Sequence, residues 1–319
     1  TLTQQDFFKQ KPKVECWRDL TQCIEERLMD KACRDDQLLL LIDEADALLI
    51  DCEKNDYKEL DQFKRLQNTA GGRFKFVMAG LHNVLRFSKK SLANNSGVPQ
   101  LQGITVKPLS FLDARELLEL PLSYLGFTIP EGQEDIIAQI LFNTNYFPGL
   151  VHFYASRLVR HMQRTANEAQ MPPYELDRDV LTRVLADEEF RTMRIERLKM
   201  TLGIDAQEHS YYDILAHLLC FCCNDSEDVM LYGMTATEIY CELGSFASPA
   251  IAALDVKQIE VLLNELVDLN ILRKEQNGNE LRYLFSRPSF IEMLGTKREV
   301  EDHLLKILDP ANMASAETH

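Results

Sequence analysis

Apolar residues in the first third of the chain alternate between helical spacing and short continuous runs. Residues 15–32 place their apolar side chains on one stripe of a predicted amphipathic helix. The run of apolar residues at 38–42 is short and ends in acids, which predicts a buried strand of a parallel sheet. Residues 56–69 are typical of a helix, and strand candidates follow at 74–79 and 104–106. Strands that alternate with helices indicate a layered α/β sheet.

Helical spacing dominates from residue 110 onward. Ser110 precedes Asp113 in a capping pattern, which predicts that a helix over 111–120 begins here. Pro121 must end or kink that helix, because proline donates no backbone hydrogen bond. Further helices are predicted over residues 134–143, 148–164 and 178–201.

The last third of the chain predicts a group of helices followed by a hairpin. The helices are predicted at residues 211–223, from 235 onward, and at 255–270. Two strand-like runs at 271–275 and 281–285 then flank Asn277-Gly278, a pair typical of a tight hairpin turn. Three helices and a hairpin in this order predict a winged helix-turn-helix.

The composition is that of an ordinary globular protein. Hydrophobic residues make up 45% of the 319 positions, which excludes disorder for most of the chain, and no apolar run approaches the roughly 20 residues of a membrane helix. A net charge of -15 excludes a general nucleic-acid coat. No signal peptide or disulfide framework is visible, so we expect a cytoplasmic protein without membrane partners. We interpret the single Cys-x-x-Cys, Cys220 to Cys223, as core packing rather than a zinc site.

The strongest chemical signal is Asp43-Glu44-Ala45-Asp46, directly after the apolar run at 38–42. Two adjacent carboxylates thus follow the carboxyl end of a predicted strand, which is where ligands bind in open α/β sheets. Asp43 is placed to hold Mg²⁺, and Glu44 to orient a water molecule that attacks a phosphate. The alternative is a strand that ends in a solvated acidic turn.

This segment resembles the Walker B motif of P-loop ATPases, and the chain up to about residue 160 resembles the AAA+/STAND branch that includes origin-recognition-type initiators. The segment from Phe76 to Asn83 resembles the sensor 1 strand, which implies that Asn83, or else His82, reads the γ-phosphate. Residues 106–110 resemble the transition to the lid, and residues 145–150 resemble the start of the sensor 2 helix. The resemblance implies ATP and Mg²⁺ as cofactors.

Two features depart from the family pattern. No Gly-x-x-x-x-Gly-Lys-Ser/Thr occurs, so we expect the phosphate loop to precede Thr1 and this chain alone to be inactive as an ATPase. The lid helix lacks a Gly-Asp-x-Arg run, although Arg157 or Arg160 could serve as sensor 2, with a surface ion pair as the alternative role. The resemblance implies an ATPase core at 1–123, a helical lid and linker at 124–202, a winged helix at 203–298 and a terminal segment at 299–319.

The predicted winged helix is acidic where DNA-reading domains are usually basic. Its third helix, 255–270, carries four acids and one lysine, which opposes contact with phosphates. Basic side chains that could reach phosphates lie on the hairpin and its exit: Arg273, Lys274, Arg282 and Arg287. We therefore expect an ATP-driven switch that contacts a protein partner or a second copy of itself, with weak DNA binding. A DNA-binding initiator-like module and a non-catalytic interaction scaffold stay open as alternatives.

Overall fold

The computed structural model describes most of the chain as two compact units. The units are Thr1–Thr105 and Val106–His319. Over the described residues the protein is mostly helical and contains three small two-stranded sheets. The described residues are 17–30, 35–55, 57–81, 84, 87, 103–133, 135–165, 172–176, 178–205, 210–246 and 254–308.

The first unit is built around a pair of parallel strands. Its described elements are α1 (Trp17–Met29), β1 (Leu38–Ile42), α2 (Ala45–Lys54), α3 (Lys58–Thr69) and β2 (Phe74–Met78). Leu38 lies opposite Phe74, and Ile42 lies opposite Met78. The predicted strands at 38–42 and 74–79, with helix between them, are therefore confirmed as a parallel pair.

Only one face of this pair is packed in the part of the chain that the structure describes. Leu60, Phe63 and Phe74 form the buried core beside that face. On the other face Leu39 is 55% exposed and Leu41 is 68% exposed. The expectation that β1 is a buried strand therefore holds for one face only, because alternate side chains of a strand point to opposite faces.

The first half of the second unit is a group of helices with a minimal parallel strand pair. Its elements are α4 (Phe111–Tyr124), β3 (Phe127–Thr128), α5 (Asp135–Asn143), α6 (Pro148–Thr165), β4 (Tyr174–Glu175), α7 (Arg178–Leu185) and α8 (Glu188–Leu202). Ala114 and Leu118 of α4 lie in one core cluster with Ile140 of α5 and Tyr154 of α6. Helix α4 therefore shares its core with the helices that follow it in sequence.

Local expectations for this region are met in part. Ser110 caps α4, since its Oγ accepts a hydrogen bond from the backbone N–H of Asp113 at 3.2 Å, and α4 continues past Pro121. The strand predicted at 104–106 is wrong, because residues 103–110 adopt neither helix nor strand. The helical character predicted over 178–201 is confirmed as two helices, because Asp187 begins a new helix by accepting hydrogen bonds from two backbone amides.

The second half of the unit consists of helices around an antiparallel hairpin. After a short 3-10 turn at Gly203–Asp205 come α9 (Tyr211–Asp225), α10 (Glu227–Tyr232), α11 (Ala236–Ser245), α12 (Val256–Asp268), β5 (Leu272–Asn277), β6 (Glu280–Phe285), α13 (Ser289–Leu294) and α14 (Lys297–Ile307). The hairpin is confirmed, with Gly278 at φ 60° in its two-residue turn. Met234, which precedes α11, adds a short antiparallel bridge to Tyr283 of β6.

Helix α9 forms the centre of this half. Most of its residues are buried, and they share one core with side chains from α11, α12, β6 and α14. Leu198 and Leu202 of α8 also belong to this core. Further contacts join this half to the helices before it: the Ser289 hydroxyl donates to Asn145 Oδ1 at 2.9 Å, and the Arg287 guanidinium lies 4.2 Å from the centre of the Tyr146 ring. None of the helices in the described residues is both long enough and apolar enough to cross a bilayer.

Candidate functional site

The acidic motif lies at the carboxyl end of the parallel strand pair. The backbone N–H of Ala79 donates to the carbonyl of Ile42 at 2.8 Å, and the N–H of Ala45 donates to the carbonyl of Ala79 at 2.9 Å. The two strands are thus held together one residue beyond their regular ladder. This junction places the residues after β1 next to the residues after β2, at the edge where parallel sheets bind ligands.

Glu44 has an unusual backbone conformation at this junction. Its φ of 52° and ψ of 42° lie in the left-handed region, which costs a residue with a side chain about 1–2 kcal/mol. Glu44 begins α2, yet its side chain makes no cap hydrogen bond to the helix. The carboxylate of the preceding Asp43 accepts the Glu44 N–H at 3.0 Å instead. Strained backbone of this kind is concentrated at functional sites.

Asp46 links the chain that follows β1 to the chain that follows β2. The sequence analysis assigned no role to this residue. Its Oδ2 accepts the backbone N–H of Leu81 at 2.5 Å, across 35 positions of sequence. A Cβ atom on Gly80 would collide with the same Asp46 oxygen and with Val84. Glycine at position 80 therefore allows the loop after β2 to approach the acidic motif closely.

The predicted catalytic residues divide into those that the structure describes and those that it does not. Asp43 and Glu44 are both exposed at the junction. His82 and Asn83, the predicted γ-phosphate sensors, lie outside the described residues. The segment that leads to them, Ala79 to Leu81, is placed beside the acidic motif.

Arg157, the predicted sensor 2 residue, forms an ion pair within the second unit. It pairs with Glu189 of α8 and lies 5.4 Å from the centre of the Phe153 ring. Its side chain is mostly buried, at 15% exposure. The sequence left open a surface ion pair for Arg157, and the structure shows an ion pair in which the arginine is mostly buried.

The four basic residues proposed for DNA contact already have partners. The Arg273 guanidinium pairs with Glu275 at 2.6 Å, and Lys274 donates to Asn264 at 3.1 Å. The Arg282 guanidinium lies 3.1 Å from a Glu238 oxygen and also contacts Glu280 and the carbonyl of Gly233. Arg287 stacks on the Tyr146 ring as described above. Much of the positive charge of the hairpin is thus neutralised by neighbouring acids.

The acids of α12 do not all face solvent. Glu265 is buried, and Tyr212 of α9 donates a hydrogen bond of 2.6 Å to its Oε2. One of the four acids that the sequence counts against phosphate contact, Glu265, therefore lies in the core. Leu262 of the same helix is also buried and lies three positions before Glu265, so the two side chains share one side of the helix.

A cluster of metal-ligating side chains lies between α9 and α14. Asp213 Oδ1 is 2.8 Å from His217 Nδ1, and Asp213 Oδ2 is 2.9 Å from His303 Nε2. Burial alone would raise the pKa of Asp213, but hydrogen bonds from the two histidines and their charges hold it well below its usual value. The sequence pattern Asp-x-x-x-His on one helix was available as a signal, whereas nothing local pointed to His303.

The cysteines of α9 are core residues. Cys220, Cys222 and Cys223 are buried among apolar side chains, as their interpretation as small hydrophobic residues predicts. Burial raises the pKa of Cys220 and of Cys223 to about 12 each. Thiols in this state are poor nucleophiles and poor metal ligands, because both functions need the thiolate.

Comparison with known proteins adds no family to this picture. No protein-family model matches the sequence, and no protein of curated function matches it significantly.

Proposed function

We propose that the protein is an ATP-dependent switch of the AAA+/STAND type, in which the junction after β1 and β2 is the hydrolytic edge. The observation that carries this proposal is the position of Asp43 and Glu44 at the carboxyl end of a parallel strand pair, with Glu44 in a left-handed conformation. A solvated acidic turn would not require a strained glutamate or a glycine that lets the neighbouring loop approach. These features support a built site over a plain turn.

The residues at this edge fit a magnesium ion. Carboxylate oxygens are hard ligands, which Mg²⁺ prefers, and Mg²⁺ is usually held by one or two of them together with water and phosphate oxygens. Asp43 would hold the ion, which when bound neutralises charge on the transferred phosphate. Glu44 would orient the attacking water and accept its proton. Asp46 would position the chain that follows β2 through its bond to Leu81.

The C-terminal half of the second unit would act as the regulatory part of this switch. Three helices, the hairpin and the bridge from Met234 to Tyr283 support its interpretation as a winged helix. The acidic outer residues of α12 and the paired arginines of the hairpin favour a protein surface, or a second copy of the chain, over DNA as its partner. In STAND-type ATPases, which the sequence resembles, such a domain commonly holds the nucleotide domain in its off state.

The test is the change of Glu44 to glutamine in a form of the protein that carries a phosphate loop. The amide keeps the shape of the carboxylate but cannot accept a proton from water, so ATP binding should persist while hydrolysis falls at least about 100-fold. Binding is followed by calorimetry in the presence of Mg²⁺, and turnover by phosphate release. This chain alone should bind ATP weakly or not at all.

Asp51→Asn is the matched control. Asp51 is an exposed acid of α2 whose carboxylate pairs with Lys54 at 3.0 Å. Its replacement by asparagine should leave ATP turnover unchanged. If Glu44→Gln hydrolyses ATP as fast as Asp51→Asn does, Glu44 is not the residue that activates water. Absence of both ATP binding and turnover in the form that carries a phosphate loop would refute the ATPase proposal and favour the interaction scaffold.

A further inference from the structure

The cluster of Asp213, His217 and His303 is built by the packing of two helices. Asp213 and His217 are four residues apart on α9, so they lie on one face of the helix. Helix α14 packs against α9, with Val300 and Leu304 buried in the shared core. His303 lies between these two positions in sequence, and the packing brings its ring to 4.0 Å from the ring of His217, centre to centre.

We propose that these three side chains bind a divalent transition-metal ion, Zn²⁺ by their donor chemistry. The ligand atoms of Asp213, His217 and His303 all lie within 4.8 Å of one another. In a tetrahedral zinc site, bonds of about 2.0–2.1 Å separate neighbouring ligand atoms by roughly 3.3 Å. The carboxylate oxygens of Asp213 lie 2.8 Å from His217 and 2.9 Å from His303, which is a little closer than this spacing, and no pair in the set exceeds 4.8 Å.

The donor set selects the class of ion. Two imidazoles and one carboxylate suit zinc and its neighbours in the transition series, whereas Mg²⁺ and Ca²⁺ prefer sites made wholly of oxygen. The site is therefore chemically distinct from the proposed Mg²⁺ position at Asp43, and it does not rest on the proposed function.

The hydrogen bonds at the cluster show what an ion would replace. His217 Nδ1 also lies 2.9 Å from the backbone carbonyl oxygen of Asp213, so this nitrogen donates a proton towards two acceptor oxygens. Zn²⁺ would occupy the position of that proton, which is released to solvent when the ion binds. The imidazole then binds in its neutral form, with its remaining proton on Nε2.

The site is accessible from one side. The side chain of His217 is 9% exposed, that of Asp213 is 23% exposed and that of His303 is 38% exposed. A buried inner ligand and a more open outer one leave a path for the ion and room for water as a fourth ligand. Because His303 comes from α14 and the other two ligands from α9, the ion would tie the last described helix to the central one.

The experiment uses the whole chain, stripped of metal with a chelator and then titrated with Zn²⁺. Calorimetry should report one saturable equivalent, and the melting temperature should rise by about 5–10 °C at a hundredfold excess over Kd. X-ray absorption at the zinc edge should show nitrogen and oxygen neighbours at about 2.0–2.1 Å and no sulfur at about 2.3 Å. The absence of sulfur separates this site from adventitious binding by cysteines.

His303→Asn and Asp213→Asn test the ligands, with His152→Asn as the matched control. His152 is an exposed histidine of α6, outside the cluster, and its loss should leave binding unchanged. Each ligand change should weaken Zn²⁺ binding at least about 100-fold. Circular dichroism checks folding, and His303→Gln provides a second variant if His303→Asn does not fold.

Three results would overturn the proposal. These are an unaltered Zn²⁺ affinity in folded His303 variants, sulfur in the first coordination shell, and the lack of any saturable equivalent. In the last case the cluster is a hydrogen-bonded triad that only fastens α14 to α9. Magnesium in place of zinc should neither bind in the titration nor raise the melting temperature.

Discussion

Glu44 and Gly80 show how single backbone positions shape the acidic junction. Glu44 adopts a left-handed conformation that a side chain disfavours, while Gly80 stands where a side chain would collide with Asp46. Glu44 thus has a strained backbone, and Gly80 leaves space for the carboxylate of Asp46. Together these two positions allow the acids after β1 to lie close to the chain that follows β2.

Replacing Gly80 by alanine tests this close approach. The added methyl group has no space beside the Asp46 carboxylate and Val84, so it should displace the loop and destabilise the first unit by about 1–3 kcal/mol. The measurement is thermal unfolding together with hydrogen exchange at the Leu81 amide, which should exchange faster. Gly244→Ala is the control: a methyl group there would meet no atom within 4 Å, so the change should be neutral or slightly stabilising.

The buried cysteines lead to a prediction about pH. Burial raises the pKa of Cys52 and Cys220 to about 12 and that of Cys222 to about 11. A raised folded-state pKa favours the neutral thiol, so its contribution to stability is complete below the unfolded value of about 9 and is lost as pH rises towards 12. We expect stability to fall over this alkaline range.

Alkylation followed by mass spectrometry tests the raised pKa of each buried thiol separately. Near pH 8, Cys52 and Cys220 should react roughly a thousandfold more slowly than they do in urea, because so little thiolate forms in the folded protein. Cys241 is exposed and serves as the internal reference for reaction in the native state. Equal rates at Cys220 and Cys241 in folded protein would contradict the core packing of α9.

At the scale of elements, helix starts in the second unit are specified by local hydrogen bonds. Helices α11, α12 and α14 each begin with a capping box, in which a side chain at the start and one three residues later satisfy each other's backbone amides. For α11 and α12 these boxes explain why the helices begin within a residue or two of the predicted positions, 235 and 255. The start of α8 is likewise specified by a local hydrogen bond, because the side chain of Asp187 caps it by accepting from the backbone amides of Glu189 and Phe190.

Asp255→Ala tests the contribution of one box. Asp255 Oδ1 accepts the Gln258 N–H at 2.8 Å, and Gln258 Oε1 accepts the Asp255 N–H at 2.8 Å. Loss of the cap should cost about 1 kcal/mol and lower the melting temperature of the unit by about 2–4 °C. Asp255→Ser retains a capping oxygen and should recover most of the loss, whereas an equal loss in both variants would show that the cap is not the cause.

At the scale of the whole molecule, charge determines which partners the chain can meet. The net charge is -15, and the arginines of the hairpin are paired with acids such as Glu275 and Glu238. Long-range repulsion therefore opposes approach to any polyanion.

We expect DNA binding to be weak, independent of sequence and steeply dependent on salt. Fluorescence anisotropy with mixed duplexes at low and physiological salt measures it, and Arg282→Glu should abolish what remains. Asp268→Lys, on α12, should strengthen binding at low salt, because it removes a charge within about a Debye length, roughly 8 Å, of the phosphates. Tight, sequence-specific binding that is lost on changes in α12 would instead favour the initiator-like alternative.

Local patterns were sufficient for much of the fold. The apolar run of β1, the capping pattern at Ser110 and the Asn-Gly pair of the hairpin each predict an element that the structure contains. Periodicity and turn chemistry act over a few residues, so they can be recognised without knowledge of the partner segments. The same holds for the acidic motif, whose adjacency to a strand end is a property of the sequence.

Tertiary packing determined the rest. The inward position of Glu265, the bond from Asp46 to Leu81 and the meeting of His303 with Asp213 join residues 35 to 90 positions apart. The exposure of one face of β1 likewise depends on which helices cover the sheet, and a continuous apolar run is compatible with one covered face or two. Sequence alone therefore determined the elements and the acids that end β1, whereas only the packing of distant segments decided which side chains meet, because those contacts leave no local period in the chain.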